Sequence, residues 1–126
     1  MSALITNAPV GDWQYASSAD ITDTNAVDVA AAPGAGRCHR VTDVTINNSD
    51  TAVGTVVNVR SGTTVLWSGF VSPFVAAAPG VSHISHSFVR PLKGGNNEAI
   101  NVICVTTSGQ VRVSLCGYTE RIGALV

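Results

Sequence analysis

The chain has 126 residues, of which 12% are charged and 45% are hydrophobic, and its formal net charge is −1. This length is typical of one domain, and the apolar content excludes an intrinsically disordered protein. The lack of a net basic charge argues against nucleic acid or an anionic membrane as the partner. The chain begins without a basic segment or a long apolar run, so we expect no signal peptide or membrane anchor, and synthesis in a cytoplasm.

Strand-like alternation of apolar and polar residues dominates the chain from Cys38 onward. The alternating segments are 40–47, 53–60, 63–71, 81–89, 98–106 and 110–119, and 13–17 and 26–31 are weaker candidates. The dipeptide Ser61-Gly62 predicts a hairpin between the second and third of these segments. The tripeptide 107–109 predicts another hairpin between the last two. In the first segment, alternation places Val44 on one face of the strand and Val41 on the other.

These segments together indicate the fold class. No segment has an apolar pattern of helical period over three turns, and β-branched residues dominate. Short strands separated by glycine and proline turns are typical of a single antiparallel β-sandwich or jelly roll. We therefore predict an all-β fold in which residues 1–20 form an extended N-terminal arm and residues 21–126 form the sandwich.

Negative charge is concentrated towards the N-terminus. Residues 1–36 contain four aspartates and no Lys or Arg, whereas the rest of the chain carries seven basic and four acidic residues. Two interpretations stay open: chance in a short chain, or an acidic arm that docks on a more basic surface.

No arrangement of residues indicates an enzyme, and we predict no catalytic residue, no cofactor and no metal site. A nucleophile elbow of the form G-x-S-x-G is absent from the sequence. His83 and His86 stand three residues apart on a predicted strand and so point to opposite faces, which does not suit a shared metal ion. The three cysteines, Cys38, Cys104 and Cys116, are an odd number without a C-x-x-C spacing, so neither a disulfide framework nor a zinc site is expected.

The sequence therefore favours a structural or binding protein, which functions by contact between its surface and other molecules. The low charge requires a surface rich in Ser, Thr, Asn and Ala, which is common where subunits pack together. The candidate interface residues are of two kinds. The aromatic candidates are Trp13, Tyr15, Trp67 and Phe74, and the acidic candidates, at the end of the predicted arm and just after it, are Asp20 and Asp23. Whether each aromatic ring belongs to the core or to an interface stays open.

The segments VTDVTINNSDTAVGTVVNVRSGTTVLWSGFV and FVRPLKGGNNEAINVICVTTSGQVRVSLCGYT carry a resemblance to a known group. A strand ending in Asn and Ser leads to a valine-rich strand, a small glycine turn and a T-x-V-L-W-type strand. A Phe-x-x-Pro-Leu segment, an A-I-N-V strand and a V-x-V-S-x-x-G-Y strand follow. In this order, residues from about 40 to 119 resemble small virion structural proteins of tailed bacteriophages.

This resemblance implies a non-enzymatic decoration or cement protein on the capsid surface of a virion, synthesised in the host cytoplasm. Its partners would be the major capsid protein and other copies of the chain in a dimer or trimer, with no nucleic acid and no membrane. It would bind and stabilise the assembled shell through the sandwich and the N-terminal arm. The alternative is a receptor- or carbohydrate-binding module of a phage fibre or tail, which would use loops 74–78 and 92–97.

Overall fold

The computed structural model describes residues 11–122, which form eight β-strands and a short 3₁₀ helix, Pro79–Ser82. The strands are β1 (Gly11–Ala16), β2 (Val27–Ala30), β3 (Arg37–Asn48), β4 (Thr55–Ser61), β5 (Thr64–Val71), β6 (His83–Lys93), β7 (Ile100–Cys104) and β8 (Val111–Arg121). Within this described part, no helix is long and apolar enough to cross a membrane.

The strands form two four-stranded antiparallel sheets that enclose one core, so the predicted all-β sandwich is confirmed. One sheet has the order β1-β8-β3-β6 and the other has the order β2-β7-β4-β5. The predicted hairpin between β4 and β5 is also confirmed, but its two connecting residues are Gly62 and Thr63. Gly62 has a φ of 56°, a left-handed conformation that glycine adopts without a steric cost.

Valine-rich strands supply the core. Val57 and Val59 of β4 face Val113 and Leu115 of β8 from the opposite sheet, and all four are buried. The alternate residues of these strands point outwards, as expected for a half-buried sheet. Burial of one such aliphatic side chain stabilises a fold by roughly 1.5–3 kcal/mol, so this core holds the two sheets together.

One irregularity changes which residues of β3 face the core. The register of β3 with both β6 and β8 shifts between Val41 and Asp43. As a result Val41 and Val44 are both buried in the core. The predicted placement of these two valines on opposite faces is wrong, because a two-residue period carries no sign of a β-bulge.

The predicted second hairpin is wrong. β7 lies between β2 and β4, whereas β8 lies between β1 and β3 in the other sheet. The connection over residues 105–110 therefore crosses from one sheet to the other. A turn sequence marks where the chain reverses direction. It does not specify whether the next strand joins the same sheet or the opposite sheet, because strands of both sheets cover the core.

The predicted arm over residues 1–20 overlaps the sandwich. Gly11–Ala16 forms β1, which pairs antiparallel with β8, so these residues belong to a sheet instead of an arm. The reason is apolar burial, because Trp13 and Tyr15 on alternate positions of β1 pack against the core. Residues 1–10 lie outside the described residues, and an arm over them stays a prediction.

The loops gather at the two ends of the sandwich. Backbone hydrogen bonds join the loops at one end, namely Phe74 N to Asp50 O, Ser49 N to Gln110 O and Ser108 N to Thr22 O. Loop 17–26, which contains Asp20 and Asp23, also lies at this end. Residues 31–36, 62–63 and 94–99 connect strands at the opposite end. We call the part of the first end formed by loops 49–54, 72–82 and 105–110, together with Phe70, the apolar tip.

Candidate interaction surface

Exposed apolar side chains concentrate at the apolar tip. Eight large apolar side chains are exposed within residues 11–122, and five of them lie here: Phe70, Phe74, Val75, Val81 and Val105. The most exposed aromatic ring among them is Phe70, which is 58% exposed. Single exposed apolar residues are ordinary on a protein surface, but a group of them marks a surface that contacts another molecule.

Two neighbouring strands and the residue that follows β7 form an apolar row beside the tip, on the outer face of the β2-β7-β4-β5 sheet. Phe70 of β5 pairs with Val56 of β4, and Val105 N donates to Val56 O at 3.1 Å. The ring of Phe70 also covers Gly54, since a Cβ at that position would lie 2.9 Å from Phe70 Cζ. The sheet register thus fixes the row of Phe70, Val56 and Val105 before any partner binds.

The apolar tip is almost free of charge. Its three loops contain one ionisable residue, Asp50. The Asp50 carboxylate accepts hydrogen bonds from the backbone N–H groups of Ala52 and Val53, so it stabilises the turn of its own loop. A partner that covers this surface would desolvate few charged groups, and depletion of charge is typical of the core of a protein interface.

A hollow of about 520 Å³ lies beside Phe74. Its walls also include Asn47, Asn48, Ser49, Gly80, Ser82 and His83. His83 Nδ1 lies 2.6 Å from Asn47 Oδ1, which orients the imidazole at the rim. A hollow lined by an aromatic ring and a few polar residues suits a small ligand with both apolar and polar parts.

Asn48 holds the three tip loops together. Its side chain is buried, with the residue only 2% exposed. Asn48 Nδ2 donates to Val53 O at 2.8 Å and to Ser72 O at 3.1 Å. Its Oδ1 accepts from Asp50 N at 3.1 Å and from Gln110 N at 3.3 Å. One amide therefore has a partner in each loop, which sets the positions of the loops that carry the exposed residues.

Trp13 and Tyr15, two of the predicted interface residues, are half-buried on β1 and pack against the core. The Trp13 ring meets His39 edge-on, with ring centroids 5.7 Å apart. Its Nε1 is buried and has no hydrogen-bond partner among residues 11–122. Both side chains stabilise the sandwich, and a contact of either with a partner stays a prediction.

Asp20 and Asp23 lie in the loop between β1 and β2. Asp20 Oδ1 accepts a hydrogen bond from Arg112 Nε at 2.8 Å, and Asp23 Oδ1 accepts one from Asn25 N at 3.1 Å. Exposed ion pairs such as the first contribute about 0–1 kcal/mol. Both carboxylates are engaged within the chain, and their use at an interface stays a prediction.

Trp67 lies on the side of the sandwich away from β1. Its ring stacks on His86 at a centroid distance of 6.2 Å and meets Phe88 edge-on at 6.0 Å. Since His86 and Phe88 belong to β6, these rings close the flank between the edge strands of the two sheets. Phe74 is at the apolar tip, so the structure does not bring the six predicted residues into one patch.

The side chains that could carry chemistry have structural partners. His39 is buried, with Nδ1 2.8 Å from Thr119 Oγ1 and Nε2 2.7 Å from Ala31 O. Burial, with a smaller contribution from the Asp23 carboxylate, raises the pKa of the Cys104 thiol to about 11. In the described part of the chain, no group of three or more His, Cys, Asp or Glu residues could hold a metal ion.

Sequence reasoning names Phe74 but misses Val75, Val81 and Val105. A usable signal is present, because Pro73 and Pro79 predict a surface loop and the residues around them include no charge. An apolar segment that proline keeps out of the sheets is expected to be exposed. The two loops proposed for a receptor site, 74–78 and 92–97, lie at opposite ends of the sandwich and cannot form one site.

Comparison with known proteins extends the description of the fold. No protein-family model matches the sequence, and a search of curated proteins finds no significant match. The structure is similar to a chain in the acid-stable capsid structure of Helicobacter pylori bacteriophage KHP30, with a TM-score of 0.56 and 10% identity over 89% of this chain and 90% of that chain. At this identity the similarity concerns the fold alone.

Two further similarities are weaker. A chain of the cyanophage Pam1 capsid asymmetric unit matches with a TM-score of 0.40 and 19% identity over 86% of this chain and 81% of that chain. The insecticidal delta-endotoxin Cry8Ea1 of Bacillus thuringiensis matches with a TM-score of 0.39 and 14% identity over 86% of this chain and 19% of that chain.

Proposed function

We propose that this chain is a structural protein of a virion, and more narrowly a capsid decoration or cement protein that binds the major capsid protein of an assembled phage shell. The observation that carries the proposal is the apolar tip, a surface with five exposed large apolar side chains and a single ionisable residue, Asp50. Support for a shell as the partner comes from the fold, which is similar over almost its whole length to a chain of a phage capsid structure.

The strand order supports a finer description of the fold. The two sheets have the orders β1-β8-β3-β6 and β2-β7-β4-β5, so nearly every connection between consecutive strands crosses from one sheet to the other. This arrangement favours an eight-stranded jelly roll, an architecture that viral capsid domains use. In the proposal, the jelly roll is a rigid support that presents the apolar tip.

Binding to the shell would stabilise it by mass action. A protein that binds only the assembled shell lowers the free energy of that state by RT ln(1 + [L]/Kd) for each occupied site. Burial of exposed aromatic side chains supplies much of the affinity in such contacts. The proposal includes self-association as a dimer or trimer and a location on the virion surface after synthesis in the host cytoplasm. It includes no enzymatic activity and no nucleic acid or membrane partner.

The test uses shells that lack the protein, purified from the phage whose genome encodes it. We expect the unmodified chain to sediment with the shells and to raise their melting temperature. The double substitution Phe74→Ser and Val75→Ser is expected to weaken binding at least tenfold, whereas Ile122→Ser, which changes an exposed isoleucine at the opposite end of the sandwich, leaves it unchanged. Circular dichroism checks that both variants fold. Equal shell binding by the tip variant and the unmodified chain would overturn the proposal.

A shorter deletion tests the N-terminal arm. Removal of residues 1–20 would also remove β1 from its sheet, so the informative deletion ends at residue 10. We expect a chain that starts at Gly11 to keep its melting temperature and to bind shells more weakly. Unchanged binding would reject the contribution of the arm and would leave the role of the apolar tip untouched.

The hollow beside Phe74 favours a second candidate function, a receptor- or carbohydrate-binding module of a fibre or tail. A glycan array probed with the chain alone separates the two functions, because a decoration protein needs no glycan. Glycan binding that Phe74→Ser abolishes, together with no binding to shells, would favour the second function. Trp67→Ala is expected to destabilise the fold in either case, since Trp67 packs against His86 and Phe88.

A further inference from the structure

The described sandwich has four edge strands, β1 and β6 in one sheet and β2 and β5 in the other. An edge strand exposes backbone N–H and C=O groups that can pair with a strand of another molecule. Proteins usually protect such edges with charged side chains, proline or bulges. The four edges can therefore be compared by how well each is protected.

Three of the edges carry protective features. β1 contains Asp12, and β2 contains Asp28 next to a register shift. β6 contains Arg90, Pro91 and Lys93, and its pairing with β3 is interrupted by a register shift. Antiparallel pairing of any of these strands with a second copy would place charge, a missing donor or a bulge at the contact.

β5 differs from the other three edges. Its sequence, TVLWSGFV, contains no ionisable residue and no proline. Its register with β4 shifts once, near Leu66, and is regular from Trp67 to Val71. β-Branched and aromatic residues with no charge favour further strand pairing. Among the edges of the described residues, β5 is the one without a charge or a proline.

Exposed apolar side chains also follow this flank. Val65 and Phe70 are exposed on β5, and Val89 on the neighbouring edge strand β6 is 100% exposed. Together with the rest of the apolar tip, this flank holds seven of the eight exposed large apolar side chains of the described residues. A contact through β5 would bring part of this surface out of water.

We propose that β5 pairs antiparallel with β5 of a second copy of this chain about a two-fold axis. The pairing joins two sheets into one of order β2-β7-β4-β5-β5-β4-β7-β2. A two-fold contact uses the same surface on both copies, so a strand that pairs in this way must be able to lie beside an identical strand without bringing like charges together. The charge-free β5 meets this condition, which is why a second copy is the expected occupant.

This inference deepens the self-association in the proposed function by choosing a dimer and its surface. A two-fold axis perpendicular to the joined sheet keeps the outer faces of both copies on the same side. The two rows of Phe70, Val56 and Val105 then face one direction, where both can contact one shell. Because the strands of the two copies run in opposite directions, the loops of the two apolar tips lie at opposite ends of the joined sheet, and the shell contact shared by the dimer is made by the rows. An assembly of three copies cannot be closed by this pairing alone.

The test measures the mass of the full-length chain in solution, without shells, by sedimentation velocity and native mass spectrometry. We expect a concentration-dependent equilibrium between monomer and dimer. Ser68→Lys places two lysines near each other across the axis and should raise the dimer dissociation constant at least tenfold. Ser114→Lys is the matched control, because it makes the same change at an exposed serine of β8, a central strand of the other sheet. A monomer at all concentrations, a trimer, or equal effects of the two variants would overturn the proposal.

A second measurement needs no substitution, which matters because Ser68 Oγ donates to Asn58 Oδ1 and its replacement removes that bond. Hydrogen exchange of the unmodified chain is compared at low and high concentration. We expect the amides of Thr64–Val71 to become more protected as dimers form, and those of Gly11–Ala16 to stay unchanged. Dimer formation without added protection of β5 would overturn the pairing. Since no shell is present, this failure would leave the shell-binding proposal standing.

Discussion

Replacement of Asn48 by alanine tests how the apolar tip is held in place. The substitution removes four hydrogen bonds, two to carbonyl groups of Val53 and Ser72 and two from the backbone N–H groups of Asp50 and Gln110. Each such bond contributes roughly 0.5–1.5 kcal/mol, and a carbonyl left buried without a donor costs about 1–3 kcal/mol. Gln110 is exposed and its N–H group can bind water, whereas Val53, Ser72 and Asp50 are half-buried, so the two carbonyl groups and the Asp50 N–H group account for most of the loss.

We therefore expect Asn48→Ala to lower the free energy of unfolding by about 2–4 kcal/mol. For a chain of this length, 1 kcal/mol corresponds to a shift of roughly 4 °C, so the melting temperature should fall by about 8–16 °C. Asn47→Ala is the matched control: the residue is adjacent and exposed, and loses one bond to His83. Urea unfolding followed by fluorescence measures both variants. A loss for Asn48→Ala no larger than that for Asn47→Ala would refute the reasoning.

Asn48→Asp adds a pH signature to the same prediction. An ionised carboxylate donates no hydrogen bond and would face the carbonyl oxygens of Val53 and Ser72, so the folded state should raise the pKa of the introduced carboxyl above its ordinary value of about 3.9. A group with a raised folded-state pKa stabilises the fold in its protonated form, and this stability is lost as the pH rises through that pKa. The deficit of this variant against the unmodified chain should therefore shrink at low pH. A deficit independent of pH between 3 and 7 would argue against donation from Asn48.

Three further outcomes follow from individual side chains. Burial raises the pKa of Cys104 to about 11, so a thiol reagent at neutral pH should modify the partly exposed Cys116 first, and equal rates by mass spectrometry would contradict this. A hydrogen bond from Ser87 is the largest cause of the lowered pKa of Asp43, so Ser87→Ala should raise that pKa in an NMR titration. The ionised Asp43 carboxylate stabilises the fold, and this stability is lost as the pH falls through its folded-state pKa. The substitution should therefore decrease this contribution to stability. Gly117→Ala should lower the melting temperature in a thermal scan, because its Cβ would overlap a backbone carbonyl of β3.

The parts of the fold that sequence predicts are those with a local cause. β-Branched residues at alternate positions determine strands, and Gly62 in a two-residue connection determines the β4–β5 hairpin. The burial of Val41 depends instead on a bulge, which the sequence of β3 does not reveal. The sheet to which β8 belongs depends on contacts with β1 and β3, which are distant in the chain.

The candidate surface was predictable only in part for the same reason. Phe74 stands in a segment that two prolines exclude from the sheets, so its exposure has a local cause. Trp13 and Trp67 have the same aromatic character, but each covers a different open side of the sandwich, and this follows only from the strand order. Val105 joins the apolar row because β7 lies beside β4, which no local pattern indicates.

The two proposed contacts make a joint prediction about affinity. If β5 pairs two copies, their rows of Phe70, Val56 and Val105 face the same way, and a dimer can occupy two shell sites at once through these rows. Linked binding of this kind raises the overall affinity beyond that of either site without any new contact. Ser68→Lys should then weaken binding to shells as well, although Ser68 is outside the apolar tip, and the loss should disappear when an engineered flexible linker joins two copies. Phe74→Ser should weaken binding with or without the linker. A linked Ser68→Lys chain that still binds poorly would show that Ser68 acts at the shell contact itself, and that avidity does not explain its effect.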